Sequence, residues 1–331
     1  YDLRTFGLSD VLDCTSSLRH LGSDAQSMEG AGRSVVRFLY DELIDKETDG
    51  RALSLVRLYK TARYEELPPE LRAYADDLSP GQSLAGKPCL TLLATAGDEP
   101  EWNDRRRSRD HRTIPLVSVS GLERLPMVAQ LVHQLGFEPA EILEPDRTIF
   151  RRTPGRTCGV FYVPDALGSP HVPVQADFVE RRGIRSVLGF GGLLPSGYMF
   201  AVVMFSTVDV PPETADTFAS LSFSVQLALL PFSGRRLWDS DPAPEVDLAW
   251  DLTVSQAESA ALNHLLDARQ DVILKQAVRL QKAAWTAEER ADALARSQRE
   301  LARSEATKTA ILDSALDCVI TMDARGRIVD F

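Results

Sequence analysis

Large apolar residues recur every seven positions through the last third of the chain. Leu266, Ile273, Leu280, Leu294 and Leu301 stand seven or fourteen apart, Ala287 fills the gap, and neither glycine nor proline interrupts residues 245–325. An α-helix turns about every 3.6 residues, so a repeat of seven keeps one narrow stripe facing a partner when two helices wrap left-handedly. The spacing predicts a coiled-coil helix over 251–305, and a continuous helix over 252–316 would span roughly 95 Å. With the Leu/Ile row at d, the a positions are Gln270, Ala277, Ala284, Ala291, Gln298 and Glu305. Such small or polar layers bury little area, at about 25 cal/mol per Å². The candidate dimer seam is therefore Leu266, Ile273, Ala277, Leu280, Ala284, Ala287, Ala291, Leu294 and Leu301. It is modest in stability, suited to changing register, and its partner is a second copy of the chain. The alternatives are a helix folded back on its own domain and a single exposed helix.

Upstream the pattern mixes periods. Met28–Ile44 places Val35, Val36, Leu39, Leu43 and Ile44 on one helical face, following an N-terminal arm over 1–25. Strands are predicted over Ala52–Tyr59, Cys89–Thr95, Ile114–Val119 and Cys158–Val163. A short helix opens at Pro68-Pro69, and another covers Leu122–Leu135 up to Gly136. Residues 138–156 are polar and irregular. The apolar runs Ile184–Gly189 and Met199–Ser206 flank the turn Leu194-Pro195-Ser196-Gly197, and a helix entered through Pro211-Pro212 continues to Leu230. Pro231, Gly234, Pro242 and Pro244 then mark a linker over 233–250. This order predicts an α+β domain with a mostly antiparallel sheet and helices on one face. The first and last helices are the pair expected to pack together.

Composition narrows the function classes. The 331 residues suggest about two domains, and 44% hydrophobic content supports a real core. A net charge of -11 argues against nucleic acid and against an anionic membrane surface as partner. Runs such as Tyr198–Phe205 fall far short of the roughly 18 residues that cross a bilayer. Cys14, Cys89, Cys158 and Cys318 are scattered, as are the five histidines, so buried thiols in a reducing cytoplasm are expected and no metal site is.

Little in the chain calls for catalysis. There is no nucleophile elbow, HExxH pair, Walker lysine or acid/base pair, and no pattern names a cofactor. Gly189-Phe190-Gly191-Gly192 lacks the helix of a phosphate loop and reads as a close-packing strand end. The densest charge run spans 104–112. Arg105, Arg106, Arg107, Arg109, His111 and Arg112, with Trp102 beside them, form a candidate anion site. A solvated loop whose arginines pair with nearby acids is the other reading. His264, followed by Leu265-Leu266, lacks the box of a phospho-accepting histidine.

Two stretches resemble known families. The run "GIRSVLGFGGLLPSGYMFAVVMFS" (Gly183–Ser206), the helix "ETADTFASLSFSVQLALL" after it, and the opening "VVRFLYDELID…RALSLVRLYKT" are similar to a GAF domain, over about 26–232. The stretch "SEATKTAILDSALDCVITMDARGRIVDF" (Ser304–Phe331) resembles the opening of a PAS domain, with 306–331 as an incomplete start. Together they imply the input and relay region of a cytoplasmic bacterial-type signalling protein. Its GAF-like part takes an unidentified small molecule or protein. The output unit implied farther along is a histidine kinase, diguanylate cyclase or protein phosphatase, the kinase being preferred as the commonest companion. The competing reading is a docking scaffold whose GAF-like domain holds no small ligand.

Overall fold

The computed structural model describes residues 1–145, 158–194, 196–233, 236–242, 248–314 and 320–330, with side chains of the last helix given at 273 and over 276–311. It divides into one unit over Tyr1–Val272 and another over Ile273–Phe331. In the first unit the N-terminal arm is packed and partly helical. Helix α1 covers Leu8–Leu18, and Leu3, Phe6, Val11, Cys14 and Leu18 are buried. Helix α2 (Met28–Glu42) starts at Ser27, whose hydroxyl accepts from Gly30 N at 2.9 Å and caps an otherwise orphaned donor. Val35, Val36 and Leu39 form its buried stripe. It ends two residues short of Ile44, which pairs with Arg51 in a small ribbon.

The sheet contains β1 (Leu53–Arg63), β2 (Pro88–Gly97), β3 (Thr113–Pro115), β4 (Cys158–Val163), β5 (Ser186–Leu193) and β6 (Met199–Ser206). Its six strands lie in the order β3-β2-β1-β6-β5-β4, every neighbour antiparallel. This is the α+β architecture the pattern predicts. Between β1 and β2 runs α3 (Pro69–Leu78). Proline also explains two departures. Strand β3 stops at Pro115, and the helix expected over 122–135 is divided into α4 (Val119–Glu123) and α5 (Pro126–Gln134). Pro126 has no N–H to continue a helix but suits a first turn. A short α6 (Pro139–Leu143) follows; the rest of the irregular stretch, 146–157, lies outside the described residues. The last helix of the unit's sheet domain is likewise divided, into α7 (Pro212–Thr217) and α8 (Leu221–Leu229), around a 3₁₀ turn.

Helices cover both faces of the sheet, where one was expected. Along β6, Phe200, Val202 and Met204 join a core with α1, α2 and α8, while Ala201, Val203 and Phe205 join a second core with α4, α5 and α6. Alternate strand residues point to opposite faces, so a strand buried on both sides reads as a continuous apolar run, as Met199–Phe205 does before Ser206. Helices α2 and α8 do pack together, with α1 against α8 as well. The glycines of β5 serve close packing. A Cβ at Gly189 would fall 2.5 Å from Val202 O, and one at Gly159 of β4 would fall 2.6 Å from Leu135 Cα. The β5–β6 turn closes with Gly197 at φ 84° and its N–H 2.8 Å from Leu194 O; Pro195 lies outside the described residues.

Helix α9 covers Leu248–Ser314. In the second unit Ile273, Leu280, Leu294 and Leu301 are between 52% and 62% exposed. The alanines of the seam are exposed too, whereas the side chains of Leu266 and His264 are not among those described. Beyond the helix, β7 (Thr321–Met322) pairs with β8 (Ile328–Asp330) around an Asp323–Gly326 turn. Residues 315–319, including Cys318, lie outside the described residues.

Candidate functional site

The charge run over 104–112 does not converge on one site. Arg105 turns to the α2 side of the sheet, where its Nε donates to Glu29 Oε1 at 2.7 Å and its Nη2 to Oε2 at 3.1 Å. Both residues are 4% exposed. Arg109 pairs with Glu101 in solvent, Arg106 and Arg107 are exposed, and Arg112 lies over the Tyr74 ring. Trp102 packs edge-on against Phe178 with Arg182 over its face, a structural placement. Of the candidates, only His111 lines the principal apolar cavity.

Arg105 belongs to a clasp. Residues 236–241, expected as linker, are packed against the N-terminus of α2. Met28 N donates to Arg236 O at 2.9 Å and Glu29 N to Leu237 O at 3.0 Å, which satisfies donors that a helix start leaves open. Trp238 is 1% exposed; its Nε1 donates to Glu66 O at 2.8 Å, and the Arg105 guanidinium lies 4.6 Å from the ring centroid. Asp239 accepts from Ser27 Oγ and from both Arg33 Nη atoms. Burial pushes its carboxyl up, but the Ser27 and Arg33 donors outweigh this and hold it below the usual range. A polar cavity of about 260 Å³ here is lined by Glu29, Asp104 and Asp239 against Arg33, Arg105 and Arg106. Charge is balanced within the protein.

On the other face a cavity of about 150 Å³ is lined mainly by apolar residues, among them Leu90, Leu131, Val203 and Phe205, with Arg57, Tyr59, His111 and His171 as its polar members. Arg57 Nη1 donates to the Tyr59 hydroxyl at 3.2 Å and Nη2 to Ser108 Oγ at 3.1 Å. Both acceptors are neutral, and among the described residues no carboxylate stands within ion-pair distance of Arg57. Arg57 Nε and His171 Nδ1 are buried without partners. His111 holds a left-handed φ of 56°. Burial, then the Arg57 charge, pushes its imidazole down, with Asp110 opposing. Val174, next to the cavity-lining Pro173, also has a positive φ of 57° and leads into a π-helical turn over Gln175–Glu180. A β-branched residue there is strained by about 1–3 kcal/mol, and such strain gathers at functional sites.

One loop joins the two faces. It gives Arg105 to the clasp, while buried Ser108 holds Arg57 and His111 lines the apolar cavity. Sequence reasoning saw this run as a unit but missed Arg57 and His171. A signal for Arg57 exists: it stands between Leu55 and Tyr59 on the inward face of a strand, where an apolar side chain is the rule. Cys14 and Cys89 are buried as expected, and burial pushes both thiols up to about 12; Cys158 is half-buried, and Cys318 lies outside the described residues. Among the described residues no cluster could hold a metal ion, and no helix is long and apolar enough to cross a membrane.

No protein-family model matches the sequence, and no curated protein does. Among solved structures, the chromophore-binding domain of a bacteriophytochrome from R. palustris is similar over 68% of this chain and 62% of its own, at 8% identity and a TM-score of 0.33. The photosensory core module of the Stigmatella aurantiaca phytochrome is similar over 70% of this chain and 37% of its own, at 10% identity and a TM-score of 0.30. The chain thus spans less than two thirds of either structure. Likeness this distant carries no argument about what the present chain binds.

Proposed function

We propose that this chain is the sensory input and relay region of a signal-transduction protein. A small molecule in the apolar cavity shifts the 104–112 loop, the loop loosens or tightens the clasp on 236–241, and that strap leads on to α9. One observation carries this reading: the same loop supplies a residue of the cavity wall, His111, and the buried cation of the clasp, Arg105. The event is a population shift between two arrangements, and its driving force is the ligand's differential affinity for them. In this reading the exposed row of Ile273, Leu280, Leu294 and Leu301 pairs with its copy in a cytoplasmic dimer. The alanine layers at Ala277, Ala284 and Ala291 let the pair change register on the way to an output unit of the histidine-kinase type. The resemblances to GAF and PAS domains support this order of parts.

The test is native mass spectrometry of gently purified protein, followed by amide exchange before and after the retained molecule is dialysed away. A small molecule should be retained, exchange at residues 236–241 should change on its removal, and light scattering should give the mass of two chains. A cavity empty in every preparation, or a strap whose exchange ignores the ligand, counts against sensing.

A further inference from the structure

The chemistry of the cavity wall narrows the ligand, and this inference rests on the sensing reading for its biological use. A cavity of about 150 Å³ matches in size one that admits benzene when lined by leucine, isoleucine and phenylalanine. It has no room for a tetrapyrrole or a dinucleotide. Its polar lining residues are Arg57, His111, His171 and Tyr59, and Arg57 bonds the Tyr59 hydroxyl.

Asp110 acts on His111, but among the described residues no carboxylate stands within ion-pair distance of Arg57. Arg57 carries a guanidinium, and its two bonded Nη atoms reach only a phenol and a serine hydroxyl. Arg57 is half-buried, and a cation partly withdrawn from water beside apolar walls is stabilised by a counter-charge. The buried and unpartnered Arg57 Nε and His171 Nδ1 show that the polar capacity of this wall is not used up within the described residues. The clasp on the opposite face shows how this chain treats a buried arginine whose role is purely structural, for it gives Arg105 a bidentate carboxylate.

We infer that the cavity takes a small monocarboxylate with a compact apolar body, such as a benzoate-sized acid, whose carboxylate supplies the missing counter-charge to Arg57. A phosphate ester fits less well. A dianion asks for several cationic or backbone donors, and here one guanidinium stands beside imidazoles with apolar walls around them. The apolar body packs against Leu131, Val203 and Phe205, of which Val203 stands directly across the strands from Arg57.

Calorimetry at neutral pH with benzoate and with its neutral isostere benzamide tests this on the unaltered chain. Benzoate should bind at least tenfold more tightly, and Arg57→Gln should erase that preference while circular dichroism stays unchanged. Benzamide binding as well as benzoate, neither compound binding, or a preference that survives in Arg57→Gln would overturn the charge assignment. Benzamide binding alone would leave the sensing proposal standing. Conversely, benzoate that binds tightly without altering exchange at 236–241 would uphold the ligand class and refute the relay.

Discussion

The two faces of the sheet treat an arginine in opposite ways, Arg105 being buried and Arg57 half-buried. On the α2 side Arg105 is locked to Glu29 by two short hydrogen bonds, lies over Trp238, and belongs to a cavity whose charges cancel. On the α5 side Arg57 meets only hydroxyl oxygens, in a cavity that is otherwise apolar. Arg105 has its charge met internally by Glu29, although its Nη1 lacks a hydrogen bond and lies 3.6 Å from Glu70 Oε1. Arg57, held in place by neutral groups, keeps its charge free for an incoming anion. The contrast separates a structural clasp from a binding wall more sharply than cavity size does, because the balanced cavity is the larger of the two.

Replacing each arginine by methionine breaks the comparison most directly. Arg105→Met strands the Glu29 carboxylate in the core, and breaking such a pair from one side costs about 3–5 kcal/mol. Arg57→Met gives up two hydrogen bonds of about 1 kcal/mol each but also removes a half-buried charge that no carboxylate among the described residues compensates. Its net effect should stay within about 1 kcal/mol of zero. Urea unfolding of the two variants measures both, and equal losses would erase the distinction between the faces. The Arg105 variant should also expose 236–241 to protease at concentrations that leave the parent chain intact.

The packing of α5 on the sheet sharpens the comparison on the cavity side. Gly159 lets Leu135, just past the end of α5, approach β4 so closely that a methyl group would collide with backbone. Gly159→Ala should therefore lift α5, costing about 1–3 kcal/mol in the manner of an overpacked core. Leu131 and Val128 of α5 line the apolar cavity, so benzoate affinity should fall with stability while amide exchange at the clasp stays unchanged. A variant that loosens the clasp equally would mean that the two cores respond as one.

These residues also mark how far the sequence was legible. Met199–Ser206 stood out as a strand because burial on both faces demands an unbroken apolar run, and α2 because its stripe keeps the helical period. The same double burial hid the second helical layer: a strand apolar throughout does not say which elements cover each side. Helix α1 was read only as a packed arm, since Ser9, Asp10, Thr15, Ser16 and Ser17 favour turns as readily as helix ends. At the site, local charge density drew attention to 104–112, yet nothing local tells that Arg105 goes to one face and His111 to the other. That division depends on Glu29, Trp238 and Arg57, which only the folded chain brings near the loop. The seven-residue period of the last helix needs no such tertiary information, and there the pattern alone located the element.

Acid titration gives the smallest and most discriminating contrast, because the two faces respond in different pH windows. On the cavity side the folded chain holds His111 below its ordinary value of 6.5, through burial and then Arg57. As pH falls through 6.5 the unfolded chain takes up that proton before the folded one, so this contribution to stability is lost from there downward. On the clasp side Asp239 is held below its ordinary 3.8 by Ser27 and Arg33 against the opposing effect of burial. Its contribution is intact above 3.8 and is lost only as pH falls through the lowered folded value. Between these windows the cavity face weakens while the clasp keeps its strength. His111→Gln should flatten the upper limb of the stability profile, and Asp239→Asn the lower one. Proton uptake by His111 also adds a second positive charge beside Arg57, so benzoate affinity should rise as pH drops from 7 toward 5. An affinity that does not rise as His111 takes up its proton would mean that the imidazole stands too far from the carboxylate to be felt.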